Sequence, residues 1–178
     1  ELGCLGSSYF VDHPTIPLKH VITYMNFDMV GRLKENNLIV EGVGSSNTWA
    51  RLIEKCNVAG KFSLKLLQDP YQPTDVTAFY PKEIPVIHFF TGVHEDYNRP
   101  TDDPETLNYE GMVRIAEFSR SMVLDLVRNA ERPDYVKVAQ SGERRTEKVS
   151  RRTYWGTIPD FTAENIEGVK INNVKMDG

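Results

Sequence analysis

Seven polar residues able to bind a metal or move a proton fall within ten positions of the stretch Phe90-Thr-Gly-Val-His-Glu-Asp-Tyr-Asn-Arg-Pro-Thr-Asp-Asp103: His94, Glu95, Asp96, Tyr97, Asn98, Asp102 and Asp103. Two further carboxylates stand at element boundaries, Glu1 at the start of a helical pattern and Asp28 at the end of a strand-like one. Oxygen and nitrogen donors converging at strand ends suit a zinc-type hydrolytic site, in which a metal activates water and polarises a carbonyl. Each residue also has a plainer explanation. A carboxylate at a helix start complements its dipole, a strand-end Asp opens a turn, and a loop His is exposed. Spacing alone does not decide, because HExxH, GxSxG and Gly-rich phosphate-loop patterns are all missing from the sequence.

The elements that must position these groups read as an α/β alternation. Leu2, Leu5, Tyr9 and Phe10 recur at helical spacing and stop before Pro14. Residues 20–28 are near-continuously apolar and predict a strand buried on both faces. A second strand is expected at 38–43. Ser45, Ser46 and Asn47 then offer caps for an amphipathic helix whose face is Trp49, Leu52, Ile53 and Cys56. Residues 62–67 alternate as a half-exposed strand, the proline-rich stretch 69–82 reads as a loop around a helical turn at 75–80, and 84–90 is the next strand. Pro104, after Asp102 or Asp103 as cap, is expected to open the longest helix. Its buried face would be Met112, Ile115, Ala116, Ser119, Met122, Val123, Leu126 and Val127. Such an order predicts a mixed sheet with helices on both faces.

With 178 residues, 40% hydrophobic and 26% charged, the chain can build one core without staples. A net charge of -4 gives no basic field of the kind nucleic acid requires, and no window is long and apolar enough to span a membrane. Cys4 and Cys56 lack zinc-finger or disulfide spacing and read as free thiols. Residues 132–152 dissolve into charge and predict a linker, the solvated alternative to a basic grip on an anion or membrane. Residues 153–178 carry two strand-like runs. Glu at position 1, followed directly by helical pattern, and two terminal strand-like runs too few to close a domain make both ends read as cut from something longer.

Four blocks carry a resemblance: Glu1-Leu-Gly-Cys-Leu-Gly-Ser-Ser-Tyr-Phe10, Asn26-Phe-Asp-Met-Val-Gly-Arg32, Pro73-Thr-Asp-Val-Thr-Ala-Phe-Tyr80, and Phe89 to Asp103 with Leu107-Asn-Tyr-Glu-Gly-Met112. In this order they resemble the co-catalytic zinc aminopeptidases related to bacterial leucyl aminopeptidase, glutamate carboxypeptidase and glutaminyl cyclase. The resemblance implies that residues 1–131 are the carboxyl-terminal part of a zinc-exopeptidase-like domain, incomplete at its amino end. Residues 153–178 resemble the first strands of a PDZ-like domain, which would engage peptide or another domain.

The resemblance further implies a parent dizinc aminopeptidase that hydrolyses peptide bonds through a metal-bound hydroxide, secreted or periplasmic by analogy. Glu1 would be a zinc ligand, with the general-base Glu just before it, and Asp28 would bind the other zinc. Other ligands would lie upstream. The last ligand is ordinarily a His where this chain has Asn98, so either the amide serves weakly, or His94 replaces it, or the site is no longer catalytic. Tyr97 matches a phenol that steadies the oxyanion in some relatives. Thr74-Asp75-Val76 stands where relatives show Ser-Asp-His, so a further imidazole is missing. The rival reading is a peptidase-like scaffold that binds peptide or protein without catalysis.

Overall fold

The computed structural model describes residues 3–129 and 132–139, together with the backbone of 157–159 and 171–174. Contacts divide the chain into two units, residues 1–138 and 139–178. The first is a four-stranded mixed sheet in the order β1 (Tyr24–Asp28), β4 (Val86–Phe90), β2 (Asn37–Glu41), β3 (Ser63–Leu66). β1 runs parallel to β4 and β2 parallel to β3, while β2 and β4 are antiparallel. One face carries α2 (Thr48–Gly60) and α4 (Tyr109–Arg128), the other α1 (Leu5–Asp12) and the short α3 (Val76–Phe79). The expected mixed α/β sandwich is therefore the one observed.

The larger core lies under α2 and α4. Leu38, Val40, Ile87 and Phe89 point from the sheet into Trp49, Leu52, Ile53, Ile115, Phe118 and Met122. The α2 face is the one its spacing predicts. β4 is buried at all five residues because both its edges are paired and both its faces are covered. Val86 starts β4 beyond the end of β2, whose register reaches only His88 to Phe90. A serine hydroxyl takes over there. Gly42 leaves β2 at φ 75°, a left-handed turn that brings the chain back so that Ser45 Oγ donates to Val86 O at 2.7 Å and accepts from Val86 N at 3.0 Å. The same oxygen accepts from Trp49 Nε1 at 2.9 Å.

Several expectations need correction. β1 is an edge strand of the described sheet and only half-buried, with Phe27 45% exposed, because β4 takes the central place. α1 forms, but Leu5 and Tyr9 are exposed and Val11 is its buried residue, packed with Val76 and Phe79. Pro104 opens only a 3-10 turn, Pro104–Thr106. α4 starts later because Asn108 caps it: the side chain accepts from Gly111 N and donates to Leu33 O, while its own N–H donates to Gly31 O. The α4 stripe is also rotated. Phe118 is buried while Val123 and Val127 are exposed, since α4 leans toward α2, where Asp125 pairs with Lys55 and Arg114 donates to Gly60 O.

Residues 132–138, expected to begin a solvated linker, instead lie along the first unit. Asp134 accepts from Ser46 Oγ, Asn47 N and Asn47 Nδ2 at the start of α2, and its carboxyl is held below the usual carboxylate range, chiefly by the Ser46 bond. Val136 N donates to Ser45 O, and Tyr80 Oη joins Val136 O to Val138 N. The remaining linker expectation, residues 140–152, falls outside the described residues. In the second unit β5 (Thr157–Pro159) and β6 (Ile171–Val174) pair antiparallel, and the rest of the expected PDZ-like segment is likewise outside them. Neither Cys4 nor Cys56 forms a disulfide among the described residues.

Ser45→Ala leaves the buried Val86 N–H and C=O and the Trp49 indole N–H without their partner. We expect a loss of about 3 kcal/mol or more, seen in urea unfolding as a lower midpoint at unchanged slope.

Candidate functional site

Parallel pairing sets Asp28 beside Phe90, so the carboxyl ends of β1 and β4 open at one edge of the sheet. This is the edge where α/β sheets present chemistry. Beyond Asp28, Met29 turns the chain at φ 49° and its carbonyl accepts the Thr91 hydroxyl, fastening the loop after β4 to the segment after β1. A 3-10 turn, Val30–Arg32, follows at once.

Arg32 then reaches into the loop. Its Nη2 lies 2.5 Å from Asp102 Oδ1 and 3.5 Å from Asp96 Oδ2, with the Arg32 side chain 12% exposed. Asp96 Oδ1 accepts from Thr101 Oγ1 at 2.7 Å. His94 is the most enclosed member of the group, its side chain 8% exposed and Nε2 3.8 Å from Asp102 Oδ2. Nδ1 is buried with no hydrogen-bond partner among the described residues. Burial, and then the Arg32 charge, hold the imidazole below its ordinary value against the opposing pull of Asp102 and Asp96. The ring is accordingly neutral at neutral pH, the state in which imidazole binds metals. Tyr97 stands edge-on to it at 6.4 Å between centroids. Asn98 is exposed, at φ 55° in the succession of turns that closes the loop.

The structure thus gathers His94 and Tyr97 with Arg32, Asp96 and Asp102, and sets Asp28 at the neighbouring strand end. It leaves Asn98 on the surface. Glu1 lies outside the described residues. Among the described residues no group of three or more His, Cys, Asp and Glu stands so as to hold a metal ion. Asp28 and the bare Nδ1 of His94 fit zinc in kind, as oxygen and nitrogen donors, but not in number.

Sequence reasoning missed Arg32, which sits in an unremarkable turn. It also missed a polar row under the site edge. Asn26, His88 and Glu41 are register partners across β1, β4 and β2. Asn26 Nδ2 donates to His88 Nδ1 at 2.8 Å, which leaves the proton on Nε2, 3.5 Å from Glu41 Oε2. Tyr24 Oη continues the chain to Asn26 Oδ1 at 3.3 Å. His88 and Glu41 are buried, and burial outweighs the attraction of Asp75 to push the His88 imidazole down to about 4. The signal was present, since a His within one apolar run and a Glu within another must find a partner once both strands are buried.

Residues 1–123 match the model described as Peptidase family M28. Leucine aminopeptidase 2 of Trichophyton equinum is 33% identical over 102 residues, 52% of this chain and 20% of that protein. Aminopeptidase YwaD of Bacillus subtilis is 30% identical over 148 residues, 77% of this chain and 32% of that protein. The chain therefore spans a fifth to a third of the relatives it matches. Among solved structures, BSAP, a zinc aminopeptidase from Bacillus subtilis, superposes with a TM-score of 0.61 at 26% identity, over 78% of this chain and 37% of that one. The LapA aminopeptidase of Legionella pneumophila, at 17% identity, shares the fold with a TM-score of 0.60 over 72% of this chain and 37% of that one.

The neutral His88 makes stability depend on pH. Its folded value lies below the ordinary 6.5, so the unfolded chain binds the extra proton as pH falls. Stability is full above about 6.5 and is lost progressively toward about 4, by up to ~3 kcal/mol. Asp125 and Asp134, held below 3.8, add their loss at lower pH. Urea unfolding compared at about pH 7 and about pH 4.5 should show this fall, and His88→Gln should flatten it.

Proposed function

Because this chain belongs to peptidase family M28, we propose that it forms the carboxyl-terminal part of a zinc-dependent aminopeptidase acting on peptides. The observation that carries the reading is the shared sheet edge, where Asp28 ends β1 and the His94 loop leaves β4, in a chain 26% identical to a zinc aminopeptidase of the same fold. Bound zinc supplies Lewis acidity for a scissile carbonyl and for water. Asp28 and Glu1 would hold the metals, two in number on this reading, with His94 or Asn98 as a further donor. Tyr97, whose ring stands edge-on to His94, would donate its phenolic hydrogen to an oxyanion on this reading. The general base would be a Glu preceding residue 1. Residues 153–178 would start a PDZ-like unit that engages peptide or another domain, and a secreted or periplasmic location accords with the whole.

One observation favours the rival reading of a non-catalytic peptide-binding scaffold. Asp96 and Asp102 are committed to Arg32, and the exposed Asn98 stands where the resemblance expects an imidazole. Elemental analysis of the complete protein, beside hydrolysis of aminoacyl chromogenic substrates, separates the two. Two zinc ions with turnover removed by chelation are expected. Absence of both metal and turnover would overturn the peptidase reading in favour of the scaffold.

A further inference from the structure

We propose that Ser45, Ser46, Asn47, Tyr71 and Tyr80 line a recognition site for an extended acidic peptide, and that the strap of residues 132–138 occupies it as a releasable internal ligand. Ser45 stands at Val86, the amino end of β4, so the site is at the opposite end of that strand from the His94 loop.

The bonds follow the pattern of a strand added to a sheet edge. Val136 N donates to Ser45 O at 2.9 Å, and Val136 O accepts from Tyr80 Oη at 2.9 Å. Two residues on, Val138 N donates to the same Tyr80 hydroxyl at 2.7 Å and Val138 O accepts from Tyr71 Oη at 3.1 Å. Alternate residues thus turn both backbone groups to one side, as an extended peptide does when bound by strand addition. Two tyrosine hydroxyls and one carbonyl stand in for the neighbouring strand. Such bonds read only the backbone, and selectivity comes from the side chains between and before them. Asp134 accepts from Ser46 Oγ at 2.8 Å, Asn47 N at 3.0 Å and Asn47 Nδ2 at 2.6 Å, three donors that fit a carboxylate. Tyr135 sets its ring against Tyr80 at 5.2 Å between centroids. Gly44 leaves room for the second valine, because a Cβ there would come within 3.0 Å of Val138 Cγ2. The occupant that fits is an acid, an aromatic residue next to it and a valine four positions after the acid.

The strap is held by directed bonds rather than by burial. Of residues 132–138 only Pro133 is buried, while Arg132, Asp134 and Lys137 are exposed. Arg132 fixes the entry of the strap by donating to Lys19 O at 2.8 Å and Val21 O at 3.2 Å. A segment with few buried apolar contacts opens at lower cost than the core beneath it. Tethering favours the closed state, since a segment joined to its site by a short linker is present there at an effective concentration of about 1 mM. A free peptide therefore competes well only when the tethered copy has lost its acid.

The test uses the complete protein, unsubstituted and with Asp134→Lys, and a fluorescein-labelled peptide with the sequence of residues 132–139. In the unsubstituted protein the Val136 and Val138 amides should exchange with deuterium faster than those of Ile87 and Phe89 in β4, by about tenfold or more. Asp134→Lys should speed exchange at Val136 and Val138 by a further ~10–100-fold and leave β4 unchanged. By fluorescence anisotropy that variant should bind the peptide saturably below about 1 mM, and the unsubstituted protein about tenfold more weakly, because its own strap is in place. Replacing the acid of the peptide by lysine, or adding Tyr80→Phe to the variant, should each weaken binding by about tenfold. Equal exchange at the strap and in β4, no saturable binding by the variant, or binding indifferent to the acid and to Tyr80 would each overturn the proposal. If Asp134→Lys loses the near-UV circular dichroism of the folded protein, the isosteric Asp134→Asn decides by the same readouts.

Discussion

A strand buried on all sides must find a partner for every backbone group it carries, and β4 meets that demand only with help. β1 lies along one edge, but β2 reaches only as far as His88 on the other. The Ser45 hydroxyl closes the gap at Val86 as donor and acceptor together. The same oxygen holds the Trp49 indole and so hangs α2 from the sheet, and the Ser45 carbonyl receives Val136 N from the segment after α4. One residue therefore ties sheet, helix and returning chain at the amino end of β4. The carboxyl end is left to carry the His94 loop from a fixed base.

Polar groups are handled in opposite ways at two depths. In the buried row under the sheet edge, the charge of His88 is suppressed. His88 stays neutral and is satisfied by a directed chain of hydrogen bonds from Tyr24 through Asn26, with its remaining proton facing Glu41. At the edge charge is retained, because Asp96 and Asp102 keep solvent access while Arg32 sits beneath them. A neutral imidazole can be buried without the desolvation cost that an imidazolium would carry there. A charged brace needs no such burial to fix geometry. The difference explains why His88 bears on stability with pH, whereas Arg32 bears on the arrangement of the loop.

Much of this was legible where one physical demand dominates. The α2 face, the apolar β4 and the turn at α3 follow from periodicity and composition, and the structure has each of them. Elements governed by contacts distant in sequence were read less well. β1 has the apolar run of a doubly covered strand yet lies at the edge of the described sheet. Asn108 displaces Pro104 as the start of α4 through bonds to Gly31 and Leu33, far away in the chain. Asp134 turns what composition marks as linker into the cap of a helix that begins 86 positions earlier. Composition reports solubility of a segment, not whether a few of its residues have partners elsewhere.

The departure at Asn98 can be assigned to one level of the structure. Its backbone sits at φ 55°, in the left-handed region where Asn, Asp and His are the non-glycine residues most often found. Either the observed Asn or the imidazole expected from the resemblance would therefore keep the turn. The bonds from Arg99 N to Asp96 O and from Asp102 N to Arg99 O run past residue 98 without using its side chain. Nor does the Arg32 brace touch it. Loop conformation and ligand identity are thus separable at this position. The chain can lose an imidazole at 98 and still hold His94, Asp96 and Asp102 where they stand, which moves the question of metal binding from the fold of the loop to the donor atoms it presents.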